Sequence, residues 1–272
     1  MNGLGVHPGR TFDDDIALRP STIVVPIDDP ALASSAVAIG RRWADTFGAD
    51  LVVASIEGEH DRSDLERMQL DPSEVRTVPE RPALIATVFD IVAQHTPVAV
   101  VVATRAGSPV VEVLRDDIAQ ELVRSVEVPV VLVGPHCPIK QLDGPVVVTH
   151  DGTPGVPSAL DPARVFAAAL GSPSVLLHVH QPVVGSASDA LATLRSAQER
   201  LGPDTALEIV TSSFPAGAIR EFAHEVDASL LALSTRGRTG MLTASTGRTA
   251  TWVVRESRCA VLVAHPPALS EH

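Results

Sequence analysis

Short apolar runs alternate along the chain with longer segments whose apolar positions recur at helical spacing. Runs such as TIVVPI, VAVVVA and AVLVA are rich in Val and lack alternating polar positions. Such runs are typical of parallel strands that are buried on both faces, and the segments between them predict the crossover helices that parallel strands need. The pattern therefore predicts a doubly wound α/β sheet.

The pattern occurs twice. STIVVPIDDP recurs as GPVVVTHDGTP, which places Asp28 opposite Asp151, and Gly48 and Gly171 follow these residues at the same distance, where a helix would stop. The offset between the copies is 123 residues at both points. Further on, PVAVVVATRAG pairs with ASLLALSTRG and VPVVLVGPH with CAVLVAHPP at an offset of 131 residues. The second copy therefore has about eight additional residues, which we place in its middle.

The repeat predicts three regions. Residues 1–19, with the acidic run from Asp13 to Asp15, are expected to be a mobile, solvated N-terminal arm. Residues 20–138 form the first domain and residues 144–267 the second, and the polar segment IKQLDGP connects them.

Composition excludes several functions. The net charge of -12 and a pI near 5.2 disfavour binding to nucleic acid or to an anionic membrane surface, so a bound anion needs a local positive site. Aromatic residues are 3% of the chain with no Tyr, which leaves little for stacking on bases. No signal-like or membrane-length apolar run is present, which predicts a cytoplasmic protein. Two cysteines, Cys137 and Cys259, are too few for a disulfide framework, although one isolated pair is compatible with the count.

The most chemically specific stretch is STRGRTGMLTASTGRTA, residues 234–250. It follows the fourth strand of the second copy, while Thr149, His150 and Asp151 follow the first strand, and strand ends of this kind meet at the ligand crevice of an open parallel sheet. Small residues let backbone N–H groups approach a phosphate, and the helix that begins near Gly247 adds its positive dipole end. Arg236, Arg238 and Arg248 supply the local positive charge. These features favour a phosphate-binding loop over a plain flexible turn.

The chain here resembles the universal stress protein family in its tandem form, over about Pro20 to Pro266. The family's nucleotide motif is Gly, two residues, Gly, nine residues, then Gly with Ser or Thr. Ser234, Gly237, Gly247 and Arg248 have the same spacing. VVTHDGTP carries the Asp that follows the first strand in this family, and ESRCAVLVA is similar to its closing strand.

The resemblance implies two tandem domains that pack as an intramolecular pseudo-dimer, with ATP or another adenine nucleotide, together with Mg, bound in the second. Val179 belongs to the His-Val pair that the family commonly has on its second strand. The nucleotide-binding positions that it implies are Thr149, Asp151, Val179, Ser234, Gly237, Arg238, Gly247, Arg248 and Thr249.

At two positions the sequence differs from the family's nucleotide motif. Ser234 replaces the first Gly with another small residue, and Arg248 replaces the residue whose hydroxyl would meet a phosphate. Thr249 can supply a hydroxyl instead. Arg248 either pairs with phosphate oxygens or fills the phosphate pocket itself, and the sequence is compatible with both.

The first copy has lost the motif. Ala103 and Ala106 stand at the first two glycine positions, and Asp116 and Asp117 stand where the last Gly and the hydroxyl residue belong. A like-charge pair at about 4 Å costs roughly 4 kcal/mol at an effective dielectric near 20. We therefore expect that the first copy does not bind ATP.

Three histidines lie near the same edge, because His178 and His180 share a face of one strand and His150 ends the next. They suggest a metal site or a general base, but the ordinary structural role is the stronger interpretation, and we predict no metal site. No known catalytic set accompanies them. The chain is therefore predicted to be a regulatory protein rather than an enzyme.

Two alternatives stay open. One is a nucleotide-free scaffold or protein-interaction module of the same fold, and the other is a slow nucleotide hydrolase that uses His150 as its base. In either form the protein partner is unknown, and further pairing into a homodimer is compatible with the sequence. If the closing strands pair antiparallel, as the resemblance implies, Cys137 and Cys259 lie close together. A reversible disulfide is then a hypothesis, with two inert thiols as the expected state.

Overall fold

The computed structural model describes residues 22–27, 30–58, 62–104, 118–138, 143–153, 158–182, 187–234 and 252–264. Ten strands form one sheet: β1 Thr22–Ile27, β2 Asp50–Ile56, β3 Val75–Val78, β4 Ala99–Ala103, β5 Val130–Val133, β6 Val146–Thr149, β7 Ser174–His180, β8 Ala206–Thr211, β9 Leu230–Ser234 and β10 Ala260–Ala264. The main helices are α1 Pro30–Phe47, α2 Arg62–Arg67, α3 Arg81–His95, α4 Ile118–Ser125, α5 Leu160–Leu170, α6 Ala187–Leu201 and α7 Pro215–Glu225.

The strand order is β3-β2-β1-β4-β5-β10-β9-β6-β7-β8. Within each half, neighbouring strands are parallel, and the second half repeats the order of the first in reverse. The halves meet where β5 pairs antiparallel with β10, with Leu132 opposite Val261. The predicted fold of two tandem doubly wound halves in an intramolecular pseudo-dimer is therefore confirmed.

The central strands are almost entirely apolar because helices cover both faces of the sheet. All six residues of β1, for example, are buried. One core cluster packs α1, α5 and α6 on one face. The other packs α3, α4 and α7 on the opposite face, together with the helical residues 252–256.

An aromatic cluster joins the halves on the first face. Trp43 and Phe47 of α1 each pack edge-on against Phe166 of α5, with ring centroids 5.0 Å apart in both pairs. Trp43 and Phe166 are buried. The two halves therefore share side-chain packing as well as backbone pairing.

Among the described residues, the halves differ most between their second and third strands. In the first half, α2 has six residues and is followed by the 3-10 turn Pro72–Glu74, whereas the second half has the 15-residue α6. Asp71 caps the turn, and Arg41 of α1 makes two hydrogen bonds to Glu74, of 2.9 and 2.8 Å. The additional residues of the second copy therefore lie in this middle segment.

Helices α1 and α5 stop directly before Gly48 and Gly171, at the predicted positions. Both glycines are in the left-handed region, with φ of 60° and 61°. Among the described residues, no helix has both the length and the apolarity needed to cross a membrane. The predicted arm, residues 1–19, lies outside those residues, and the domain boundaries stay predictions.

Candidate functional site

The candidate site lies at the carboxyl edge of the second half, where β6 and β9 are neighbours. From β6 the chain continues to β7 on one side, whereas β9 lies on the other side, so strand order reverses between β6 and β9. Val148 lies opposite Ala232, which brings the strand ends Thr149 and Ser234 to the same edge. This point of reversal is where open α/β sheets form a ligand crevice.

Asp151 is held in a turn at this edge. Its Oδ1 accepts hydrogen bonds from the Thr153 backbone N–H, at 2.9 Å, and from Thr153 Oγ1, at 2.6 Å. The Asp151 side chain is 47% exposed. Thr149 Oγ1 donates to the Ala232 carbonyl, at 3.3 Å, and so links β6 to β9. The arrangement presents a carboxylate beside the crevice.

Gly152 follows Asp151 with a φ of +80°, in the left-handed region that favours glycine. A Cβ at this position would lie 2.6 Å from Ala190 Cβ and 3.1 Å from His178 Cε1. The backbone of the turn therefore lies directly against α6 and β7.

His150 is oriented into the protein. Its side chain is 1% exposed, and Nδ1 accepts a hydrogen bond from the Gly152 backbone N–H, at 2.9 Å. Burial, followed by the nearby charge of His178, lowers the pKa of His150. The neutral ring has one lone pair, which Gly152 occupies, and the other nitrogen, Nε2, has no partner among the described residues. His150 therefore does not have the accessible lone pair that a general base needs.

His178 and Val179 point to opposite faces of β7. The ring nitrogen Nδ1 of His178 donates to the His150 carbonyl, at 2.8 Å, so this histidine fastens the turn after β6. Val179 packs on the opposite face with the core under α7. In the described part of the chain, no group of three or more His, Cys, Asp or Glu side chains could hold a metal ion.

The structure thus brings Thr149, Asp151 and Ser234 to one strand edge, with Val179 on the adjacent strand. The other predicted nucleotide-binding residues, Gly237, Arg238, Gly247, Arg248 and Thr249, lie outside the described residues.

In the first half, Asp28, Ala106, Asp116 and Asp117 also lie outside the described residues. Ala103 ends β4, and the next residue, Thr104, continues the pairing with β5, because its backbone N–H donates to the Val133 carbonyl at 2.9 Å.

Sequence reasoning missed Thr153 and Gly152 as the residues that shape the site. The signal for Thr153 was present, because Asp followed two residues later by Thr favours a side-chain-capped turn. The contact between Gly152 and Ala190 depends on how α6 packs, and the sequence carries no comparable signal for it.

Cys137 and Cys259 are both buried free thiols. Burial raises the pKa of Cys137 to about 11. Burial, and then the proximity of Cys137, raises the pKa of Cys259 to about 12. Cys137 follows β5 and packs with the core of the first face, whereas Cys259 precedes β10 and packs with the core of the opposite face. Both thiols are protonated near neutral pH.

Residues 144–265 match the family model described as the Universal stress protein family. The whole fold is similar to the crystal structure of a universal stress protein from Archaeoglobus fulgidus DSM 4304, with a TM-score of 0.65 and 14% identity, over 92% of this chain and 98% of that one. It is also similar to a functionally unknown protein from Pseudomonas aeruginosa PAO1, with a TM-score of 0.59 and 17% identity, over 93% and 95% of the two chains.

A third similar structure is the cytoplasmic domain of a prokaryotic cation chloride cotransporter, with a TM-score of 0.55 and 12% identity, over 89% of this chain and 94% of that one. The chain matches none of the curated proteins. At these identities the structural matches show a shared fold and no more.

Proposed function

We propose, from the membership of residues 144–265 in the universal stress protein family, that this chain is a stress-response regulator that binds ATP or another adenine nucleotide in its second half. The observation that carries the proposal is the meeting of Thr149, Asp151 and Ser234 where strand order reverses. A site there would combine the Asp151 carboxylate, for the nucleoside, with the glycine-containing sequence that follows β9, for the phosphates.

Asp151 is suited to the nucleoside. Thr153 fixes the position of Oδ1 through two hydrogen bonds, so the carboxylate accepts ribose hydroxyls without first being ordered. Val179, on the strand next to β6, would line the same crevice.

The loop is suited to the phosphates by its sequence. Gly237 and Gly247 allow close backbone approach, Thr249 supplies a hydroxyl, and Arg238 and Arg248 supply positive charge in a chain of net charge -12. Mg would accompany ATP as its counter-ion.

Binding without turnover is the role that the geometry favours. The lone pair of His150 is occupied by Gly152, and this argues against the hydrolase alternative. Bound nucleotide would instead order the loop and shift the population of a surface that an unidentified protein partner recognises. A cytoplasmic location is part of the same proposal, because reduced thiols persist in that compartment.

Calorimetric titration of nucleotide-free protein with ATP and Mg tests the proposal. We expect one binding event per chain, which Gly237→Glu weakens at least tenfold. The matched control is Ala106→Glu, at the equivalent position of the first copy, which should leave the titration unchanged. Absence of heat, together with no thermal stabilisation by ATP, would contradict nucleotide binding.

That outcome would favour the second candidate, a nucleotide-free scaffold. Arg248 in place of a hydroxyl residue supports this candidate, because its side chain can fill a phosphate pocket. The fold does not distinguish nucleotide binding from a scaffold role, since the cytoplasmic domain of a prokaryotic cation chloride cotransporter has a similar fold.

A further inference from the structure

A separate cleft of ≈ 300 Å³ lies at the junction of the two halves, lined by His136, Arg220, Glu221, His224, Glu256 and Arg258. His136 follows β5 and Arg258 precedes β10, and since these strands are antiparallel, both residues lie at the same edge of the sheet. Ser234 ends β9, which runs parallel to β10, so the nucleotide crevice lies at the opposite edge. The five residues of β10 separate the two edges by roughly 16 Å.

Arg258 carries the least compensated charge in this cleft. Its Nη1 donates to Nε2 of His224, at 3.1 Å, so His224 accepts this bond as a neutral imidazole. Within the described part of the chain, no carboxylate forms a salt bridge with Arg258. The guanidinium therefore keeps its full charge and further N–H donors.

The two glutamates of the cleft are each paired with an arginine. Glu221 accepts from Arg220 at 3.3 Å, and Glu256 accepts from Arg255 at 2.7 Å. Arg255 does not line the cleft, so the lining side chains are two arginines, two glutamates and two histidines. Because Glu221 and Glu256 are already paired with arginines, Arg258 is left as a positive charge without a carboxylate partner among the described residues, in a protein that is acidic as a whole.

The first half provides an internal comparison. Thr96 follows α3 and Asp227 follows α7, and both residues adopt a left-handed conformation. The two helices can therefore be aligned residue by residue from these positions. In that alignment the residues equivalent to Arg220, His224 and Arg258 are Phe89, Ala93 and Glu127. The cationic set is therefore specific to the second copy and is not a requirement of the fold.

We propose that this cleft binds a small tetrahedral dianion, either inorganic phosphate or the phosphate group of a phosphomonoester. Its volume lies at the lower end of the range for ligand pockets, which suits a small ligand. Arg258 and Arg220 offer planar guanidinium donors, which match phosphate oxygens, and the rings of His136 and His224 add polar contacts. This site is separate from the proposed nucleotide crevice, and the proposal does not depend on nucleotide binding there.

Titration of ¹⁵N-labelled protein with sodium phosphate, against sodium chloride at equal ionic strength, tests this site. We expect saturable shifts of the backbone amides of residues 220–224 and 256–259 with phosphate only. Arg258→Gln should weaken binding roughly tenfold, as the loss of one charged donor requires. Glu256→Gln should strengthen binding, because it removes a carboxylate that repels the ligand and releases Arg255.

The matched control is Arg195→Gln, which removes an exposed arginine of α6 and should leave phosphate binding unchanged. If the amide spectrum shows that Arg258→Gln does not fold, Arg258→Lys replaces it, with an expected intermediate loss because lysine keeps the charge and loses the planar donors. Shifts that are linear or equal in chloride, or an equal loss in the Arg195 variant, would overturn the proposal.

Two further titrations distinguish free phosphate from phosphomonoesters, and this cleft from the nucleotide crevice. Tighter binding of glycerol 3-phosphate than of phosphate would assign the cleft to phosphomonoesters, and the reverse order would assign it to the free ion. Gly237→Glu should leave phosphate binding at this cleft intact, even where it abolishes ATP binding. Loss of both in that variant would mean that the anion binds in the nucleotide crevice, and the cleft would be excluded.

Discussion

Gly152 determines how Asp151 is presented at the carboxyl edge of the second half. Its positive φ turns the chain directly after the carboxylate, and its lack of a side chain lets the turn lie against Ala190 and His178. The same residue donates the hydrogen bond that occupies His150. One glycine therefore sets both the exposure of the carboxylate and the inaccessibility of the imidazole.

We expect Gly152→Ala to lower the free energy of unfolding by about 2–4 kcal/mol, from the left-handed φ and the overpacking against α6 together. Gly171→Ala is the matched control, because its φ is similar and no atom lies within 4 Å of its Cβ position. The control should lose only about 1–2 kcal/mol, from backbone strain alone. Urea unfolding measures both, and equal losses in the two variants would contradict the close packing of the turn.

The sequence predicted the position of Asp151 at the end of a strand because the repeat aligns it with Asp28, and its role in binding stays a prediction. His150 was a candidate base because it lies beside Asp151 at the same strand end. Its position along the chain does not show whether its lone pair is accessible. The lone pair of His150 is occupied by a backbone N–H two residues away, in a turn whose shape depends on contact with α6. Local geometry of this kind is set by tertiary packing, which no single sequence displays.

At the scale of elements, the strands were predictable because burial on both faces leaves an uninterrupted apolar run. The stops of α1 and α5 were predictable because glycine permits the left-handed conformation that ends a helix. The 3-10 turn after α2 was not, since part of its stabilisation comes from Arg41, which lies 33 residues before Glu74. Contacts over such distances in sequence carry no local pattern.

The cluster of Trp43, Phe47 and Phe166 couples the helices of the two halves. Phe166 lies in the second half, whereas its two partners lie in α1 of the first. A change in one half should therefore be detected by a probe in the other.

We expect Phe166→Ala to reduce stability by about 3–5 kcal/mol, as the loss of a buried aromatic ring requires. In a Trp252→Phe background, Trp43 is the remaining tryptophan of the chain and reports on the first half. Its fluorescence transition in guanidinium should shift with the Phe166 substitution. Phe222→Ala, which truncates a partly buried ring on the opposite face, is the control and should shift it less. An unchanged Trp43 transition in Phe166→Ala would mean that the halves unfold independently.

At the scale of the whole molecule, the antiparallel pairing of β5 and β10 makes two similar halves into one sheet. Both strands are buried along their full lengths, so the junction is an interior part of the core. The pairing also points the carboxyl edges of the halves in opposite directions. The proposed nucleotide crevice and the proposed phosphate cleft at Arg258 therefore lie at opposite edges of the sheet.

The cysteines provide a measurement of how often this junction opens. Cys137 belongs to the first half and Cys259 to the second, and both are buried, with pKa values raised to about 11 and about 12. At pH 8 the thiolate is then roughly one part in a thousand or less of either thiol, so alkylation requires exposure to water first. We expect iodoacetamide to label both cysteines slowly and together in the native protein, and rapidly in denaturant without reductant.

Mass spectrometry of the intact protein over time counts the labels. Leu262→Ala, which leaves a cavity in β10 opposite Val131, should accelerate labelling of both cysteines to a similar degree, because both depend on the same opening. Rapid labelling of one cysteine in the native protein would show that it is accessible without separation of the strands. Failure to label either one in denaturant until reductant is added would instead establish a disulfide between the halves, and the junction would then be held covalently as well as by packing.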